Sequence, residues 1–205
     1  MYVQVHSGFS LRYGVLSPVQ ILEQAREAGV DCVALTDINS TAAILDFVRL
    51  APSYGVRPLA GVDIRVRNRP YYLILACNNA GYVEVCVYLS NILQGKVQPE
   101  YRAPRFRNAV VVYSLAVWNG HQLAEHEFLG IEIRDLSRWR LISCRVPPGK
   151  ALAIQPMTFR DRADWNAHRL LRSIDHNCLL SKLPPDDPAP DTHRWMPLDQ
   201  FTEAY

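Results

Sequence analysis

The sequence predicts an α/β fold on a mostly parallel sheet, and two observations carry that expectation. Short apolar runs of buried-strand type alternate along the 205-residue chain with segments of helical period. Glycines at Gly29, Gly55 and Gly95 stand where helices or their loops must end. The apolar fraction of 49% and charged fraction of 20% suit one domain with a sizeable core. The rhythm fits a closed β/α barrel or an open doubly wound sheet. In either, sites gather at the carboxyl ends of strands, where His6, Asp37, Asp63 and Pro156 fall.

The first strand is Tyr2-Val3-Gln4-Val5, running into His6. Ser17-Pro18-Val19-Gln20 then supplies an N-cap serine, a proline at the first helical position and a glutamine that closes a capping box. Ile21, Leu22 and Ala25 continue that helix to Gly29. Residues 32–36 form a second buried strand, completing a β-α-β unit, and end in the polar turn Asp37-Ile38-Asn39-Ser40. Residues 41–50 place Ile44, Phe47 and Val48 on one helical face, and 57–66 read as extended. A strand over 71–76, a helix over 78–93, strands over 109–113, 128–133 and 151–155, and a helix over 161–174 follow.

Residues 98–107 interrupt the pattern as a loop. Residues 184–191 are proline-rich and acidic, so a domain over 1–183 is expected to give way to an exit linker and tail over 184–205.

The formal net charge of +2 gives no global field for nucleic acid or anionic lipid, so any such contact must be local. Five cysteines, odd in number and without a C-x-x-C pair, argue against a disulfide framework and a zinc knuckle and read as small buried hydrophobes. No targeting segment or membrane span is legible, so a cytoplasmic protein without membrane contact is expected.

Four features are candidates for chemistry. Gln4 and His6 lie two residues apart on a strand and point to one side, so they form half of an H-x-H metal grip. A lone histidine at a strand end more often has a structural, hydrogen-bonded role, and that is the expectation for His6. Asp37 is expected to cap the helix near Thr41 or to shape an Asx turn. His121, Glu125 and His126 would converge only if helical, and read as a surface loop. Arg102, Arg105 and Arg107, set among Tyr101 and Phe106, read first as a solvated loop and second as a contact for nucleic acid or a partner.

Several blocks, taken together and in order, resemble a known family. His6-Ser7-Gly8-Phe9-Ser10-Leu11-Arg12-Tyr13-Gly14, Ala34-Leu35-Thr36-Asp37-Ile38-Asn39, Gly61-Val62-Asp63 and Leu75-Ala76-Cys77-Asn78-Asn79-Ala80-Gly81-Tyr82 are similar to the polymerase-and-histidinol-phosphatase (PHP) domain. The closest likeness is to the version at the N-terminus of the bacterial DNA polymerase III alpha subunit. It covers residues 1–95, with similar placement of the helix at His168 and of the tail at 195–205.

The resemblance implies a distorted β/α barrel of about seven parallel strands, holding a cluster of metal ions that hydrolyses phosphoesters. Its first-strand histidine pair falls on Gln4 and His6, its first-loop acid on Tyr13 and the next histidine on Ile38. Its glutamate falls on Asp63 and a further histidine on Tyr71. Its last aspartate and histidine fall on Pro156 and Thr158, in the stretch Gln155-Pro156-Met157-Thr158. Only His6 and Asp63 remain as usable ligands, fewer than a hydrolytic metal site takes.

The resemblance thus implies a filled pocket with no metal, no cofactor and no catalysis in this chain, acting as a structural and interaction module. Its partners would be the remainder of the alpha subunit, other replicase subunits and, through the parent, DNA. Magnesium would belong to the parent DNA polymerase alone. The alternative is a metal-dependent phosphoesterase or 3′-5′ exonuclease built on His6, Asp63 and Asp37.

Overall fold

The computed structural model describes residues 1–204; Tyr205, the last residue of the expected tail, lies outside them. Seven strands form one sheet in chain order: β1 (Tyr2–Val5), β2 (Cys32–Leu35), β3 (Arg57–Val66), β4 (Arg69–Ala76), β5 (Ala109–Ser114), β6 (Glu127–Ile131) and β7 (Ala151–Ala153). Helices α1 (Pro18–Glu27), α2 (Ile44–Leu50), α3 (Asn79–Leu93), α4 (Leu136–Ile142), α5 (Arg162–Asp175) and α6 (Leu198–Ala204) accompany them.

The sheet curls until its edges meet. Val5 bridges Met157 in parallel, with His6 N–H donating to the Met157 carbonyl at 2.9 Å and Met157 N–H to that of Gln4 at 2.9 Å. Each strand sends a side chain inward: Val3, Ala34, Leu59, Leu73, Val112, Phe128 and Leu152 belong to one apolar cluster. The fold is a distorted β/α barrel, filled by side chains as small barrels are. Gly61 and Gly130 keep that interior possible, because a Cβ on Gly61 would lie 2.8 Å from the Ile74 carbonyl oxygen and one on Gly130 2.7 Å from Ile154 Cδ1.

One strand departs from the expected direction. β4 runs antiparallel to both β3 and β5 while every other pairing is parallel. A tight turn at Arg67 and Asn68, both at positive φ, replaces the helical crossover that a parallel neighbour requires.

Local signals were honoured where they were complete. Ser17 and Gln20 form the capping box of α1, and Asn78 and Asp161 cap α3 and α5. α2 starts only at Ile44, so Ile44 and Phe47 are buried while Val48 turns outward, against expectation. β6 and β7 end at Ile131 and Ala153, short of the expected bounds, and α4 and α6 were not foreseen. Of the cysteines, Cys32 is buried, but Cys77, between β4 and α3, and Cys144, in a short 3-10 turn after α4 with no buried residue, are exposed.

The segment beyond residue 183 lies on the barrel. Trp195 and Phe201 pack against the ring of Tyr2, at 5.1 and 5.7 Å between centroids, and the His193 carbonyl accepts from the N–H groups of Thr158 and Phe159. No described helix is long and apolar enough to cross a membrane.

Candidate functional site at the barrel mouth

The carboxyl ends of β1 and β2 and the β3–β4 hairpin bring His6, Asp37 and Asp63 to one end of the barrel. Asp63 is buried within β3, and its Oδ2 is the centre of the cluster. It accepts from Arg65 Nε at 2.9 Å and Nη2 at 2.8 Å, lies 3.0 Å from His6 Nε2 and receives Gln4 Nε2 at 3.4 Å. Gln4 and His6 thus point to the same side, as strand period required. His6 uses its other nitrogen too, with Nδ1 3.1 Å from Thr158 Oγ1, so its fully buried ring has both nitrogens engaged.

Burial alone would push the Asp63 carboxyl up. The Arg65 guanidinium and the His6 ring outweigh it and hold the carboxyl down at about 2. Burial would lower the Arg65 guanidinium, but Asp63 and Tyr13 together outweigh that and hold it above its ordinary range.

Tyr13 roofs the cluster. Arg65 Cζ lies 4.7 Å from its ring centroid, and the rings of His6 and His168 meet it edge-on at 5.5 and 4.6 Å. His168 Nδ1 pairs with the Tyr13 carbonyl at 2.7 Å, and its Nε2 accepts from Ala189 N–H at 2.9 Å. That arrangement requires the neutral ring, and burial holds its pKa down at about 4.

Asp37 does not cap α2, whose start has no side-chain cap. Its carboxylate instead accepts Ser7 N–H at 2.6 Å, Ser7 Oγ at 2.7 Å and Ser10 Oγ at 2.7 Å, fastening the first loop to the end of β2. The backbone N–H and hydroxyls of that loop take the carboxylate in place of the helix terminus.

The remaining positions marked by the resemblance carry bulky side chains. Ile38 bridges Asp63 through backbone, Pro156 is buried, and Tyr71 stacks on Tyr101 at 4.9 Å. The void left beside Asp63, lined by Gln4, Tyr71, Leu73, Ser114 and Ile154 among others, has a volume of about 20 Å³. Asp63 belongs to that lining, and its Oδ1 has no hydrogen-bond partner. Such a space suits one water molecule. Among the described residues no three His, Cys, Asp or Glu side chains converge as ligands. The donors present therefore do not fit a metal cluster: both His6 nitrogens and Asp63 Oδ2 are engaged, and the Arg65 guanidinium lies against that same oxygen.

Sequence reasoning missed Arg65, although the spacing Asp63-Ile64-Arg65 on a strand places both charges on one face. It also missed Glu132, at the end of β6, whose Oε2 lies 3.6 Å from Nε2 of His193. No local signal announces that pair.

The other candidates lie elsewhere. Arg102 is held by the buried Glu127 at 3.3 Å, while Arg105 and Arg107 are exposed on a groove of about 1240 Å³ at the opposite end of the barrel. His121 sits over Tyr113 at 4.8 Å and Glu125 is exposed in a non-helical turn, so His121, Glu125 and His126 form no common face.

A family profile described as "PHP domain" matches residues 3–126. An error-prone DNA polymerase of Pseudomonas paraeruginosa is 26% identical over 147 residues, which cover 64% of this chain and 14% of that protein. A DNA polymerase III subunit alpha of Vibrio cholerae is 27% identical over 105 residues, covering 48% of this chain and 9% of that protein. The chain thus matches between 9% and 14% of the length of these relatives. Among solved structures, an amidohydrolase from Chromobacterium violaceum shows a remote likeness, with a TM-score of 0.38 and 12% identity over 86% of this chain and 84% of that one.

Proposed function

This chain belongs to the PHP domain family, and from that premise we propose that it is a metal-free, non-catalytic PHP module of a replicative or error-prone DNA polymerase. It supports and positions the remainder of such a polymerase, which would carry the magnesium-dependent chemistry. The observation that carries this reading is the closed Asp63 cluster. A hydrolytic site needs an open cation face and a bound water, whereas Asp63 Oδ2 is held by Arg65, His6 and Gln4.

The groove bearing Arg105 and Arg107 supports a contact face at the far end of the barrel, away from the mouth. Its partner on this reading is the polymerase body.

One observation favours a second reading, a phosphoesterase or 3′-5′ exonuclease with a reduced ligand set: the unpartnered Asp63 Oδ1. One experiment decides between them. Elemental analysis of the purified chain is expected to find no stoichiometric metal, and a nuclease and phosphoesterase assay with manganese or zinc to show no activity above background. Bound metal together with activity that His6→Ala abolishes would overturn the metal-free reading.

A further inference from the structure

We propose that Arg65 is this chain's own substitute for a metal cation at the barrel mouth, a fixed positive charge supplied by the strand that carries the carboxylate. The inference rests on the metal-free reading and names the group responsible for it.

Three observations converge. Both Nε and Nη2 of Arg65 reach the same oxygen of Asp63, at 2.9 and 2.8 Å, and that oxygen also faces His6 Nε2 at 3.0 Å. Four donor contacts, counting Gln4 Nε2 at 3.4 Å, thus gather on one buried carboxylate oxygen. The side chain of Arg65 is only 8% exposed and that of Asp63 1%, so each charge depends on the other. The neighbouring carboxylate, Asp37, is already saturated by Ser7 and Ser10 and offers Arg65 no second anion.

Tyr13 completes the exchange. Its ring gives the guanidinium a π face at 4.7 Å, so the chain has an aromatic surface against its internal cation. A divalent ion on Asp63 would lie within a few ångströms of that guanidinium, where like charges in a buried setting repel strongly. With about 20 Å³ free beside Asp63, arginine and metal exclude one another.

Removing the arginine should therefore unbalance Asp63 and open a place for a cation. Thermal unfolding of the purified chain tests this with Arg65→Ala, Asp63→Asn and the double variant. Arg65→Ala is expected to melt about 10 °C below the parent, and the double variant to regain most of that loss. Millimolar manganese or zinc should raise the melting temperature of Arg65→Ala by several degrees, reversibly with chelator, and leave the parent and the double variant unmoved.

No metal response in Arg65→Ala, an equal response in the parent, or a double variant no better than Arg65→Ala would overturn the proposal. Should Arg65→Ala fail to fold, the double variant decides: folding supports charge compensation, and failure assigns Arg65 to packing. Stoichiometric metal in the unaltered chain sinks the metal-free reading itself, an outcome separate from all of these.

Discussion

Asp63 and His168 share one aromatic enclosure yet respond to acid over different ranges. The unfolded chain takes a proton at Asp63 near pH 4, but in the folded chain the carboxyl, raised by burial and lowered further by Arg65 and His6, takes one only near pH 2. The resulting stabilisation, about 2 kcal/mol, is complete above roughly pH 5 and fades as the pH falls toward 2. His168 acts at milder acidity. Burial keeps its ring neutral down to about pH 4, whereas the unfolded ring protonates near pH 6.5, so stability falls as the pH drops between those values. Urea unfolding is expected to show a loss of about 2 kcal/mol between pH 7 and pH 5. His168→Gln should lose less, with the remainder due partly to His193, whose pKa burial also lowers. Identical slopes in the two proteins would remove His168 as the cause. The spacing of Asp63 and Arg65 was legible in the sequence, but its meaning was not. A same-face charge pair on a strand is ordinarily exposed and worth little, and only burial turns it into a committed ion pair.

Among the elements, the loop after β1 shows how a mouth is built from backbone proximity. Gly14 passes so close to Ser7 that a Cβ would lie 1.8 Å from the Ser7 carbonyl oxygen, and Ser7 and Ser10 hold Asp37 on the other side. Gly14→Ala is expected to cost about 3 kcal/mol, because rigid backbone and not a side-chain tip stands in the way. Denaturant titration measures it, and a change within experimental error would show that the loop yields. The caps at Ser17, Asn78 and Asp161 were readable because a cap is settled within four residues. The β3–β4 hairpin was not, since Arg67-Asn68 lacks the glycine that usually marks such a turn. α4 likewise shows no side-chain cap, and its apolar face of Leu136, Trp139 and Ile142 is only partly buried, so seven residues gave too short a pattern to read.

For the molecule as a whole, the return of residues 184–204 over the barrel is the largest non-local feature. Arg172, only 4% exposed in its side chain, donates to Asp187 at 2.8 Å through Nε and to Asp175 at 2.8 Å through Nη1, and Trp165 Nε1 donates to the Ala189 carbonyl at 3.0 Å. This clamp fastens the proline-rich stretch to α5. Arg172→Ala, which leaves Asp187 without its buried partner, should cost about 3 kcal/mol and speed limited proteolysis within residues 184–191. Unchanged cleavage there would place the anchoring elsewhere, at Tyr2, Trp195 and Phe201. The sequence by itself determined the β/α rhythm, most strand and helix positions, the family blocks, and the residue types at Gln4, Tyr13, Ile38, Tyr71, Pro156 and Thr158, because each rests on residue identity or on spacing within a few positions. Tertiary structure alone decided the reversed direction of β4, the capture of Asp37 by Ser7 and Ser10, the clamp on the tail and the placing of Arg65 on Asp63. Those outcomes depend on which buried charges and donors meet across the barrel, and in a low-dielectric interior an unmet group costs more than local preference can repay.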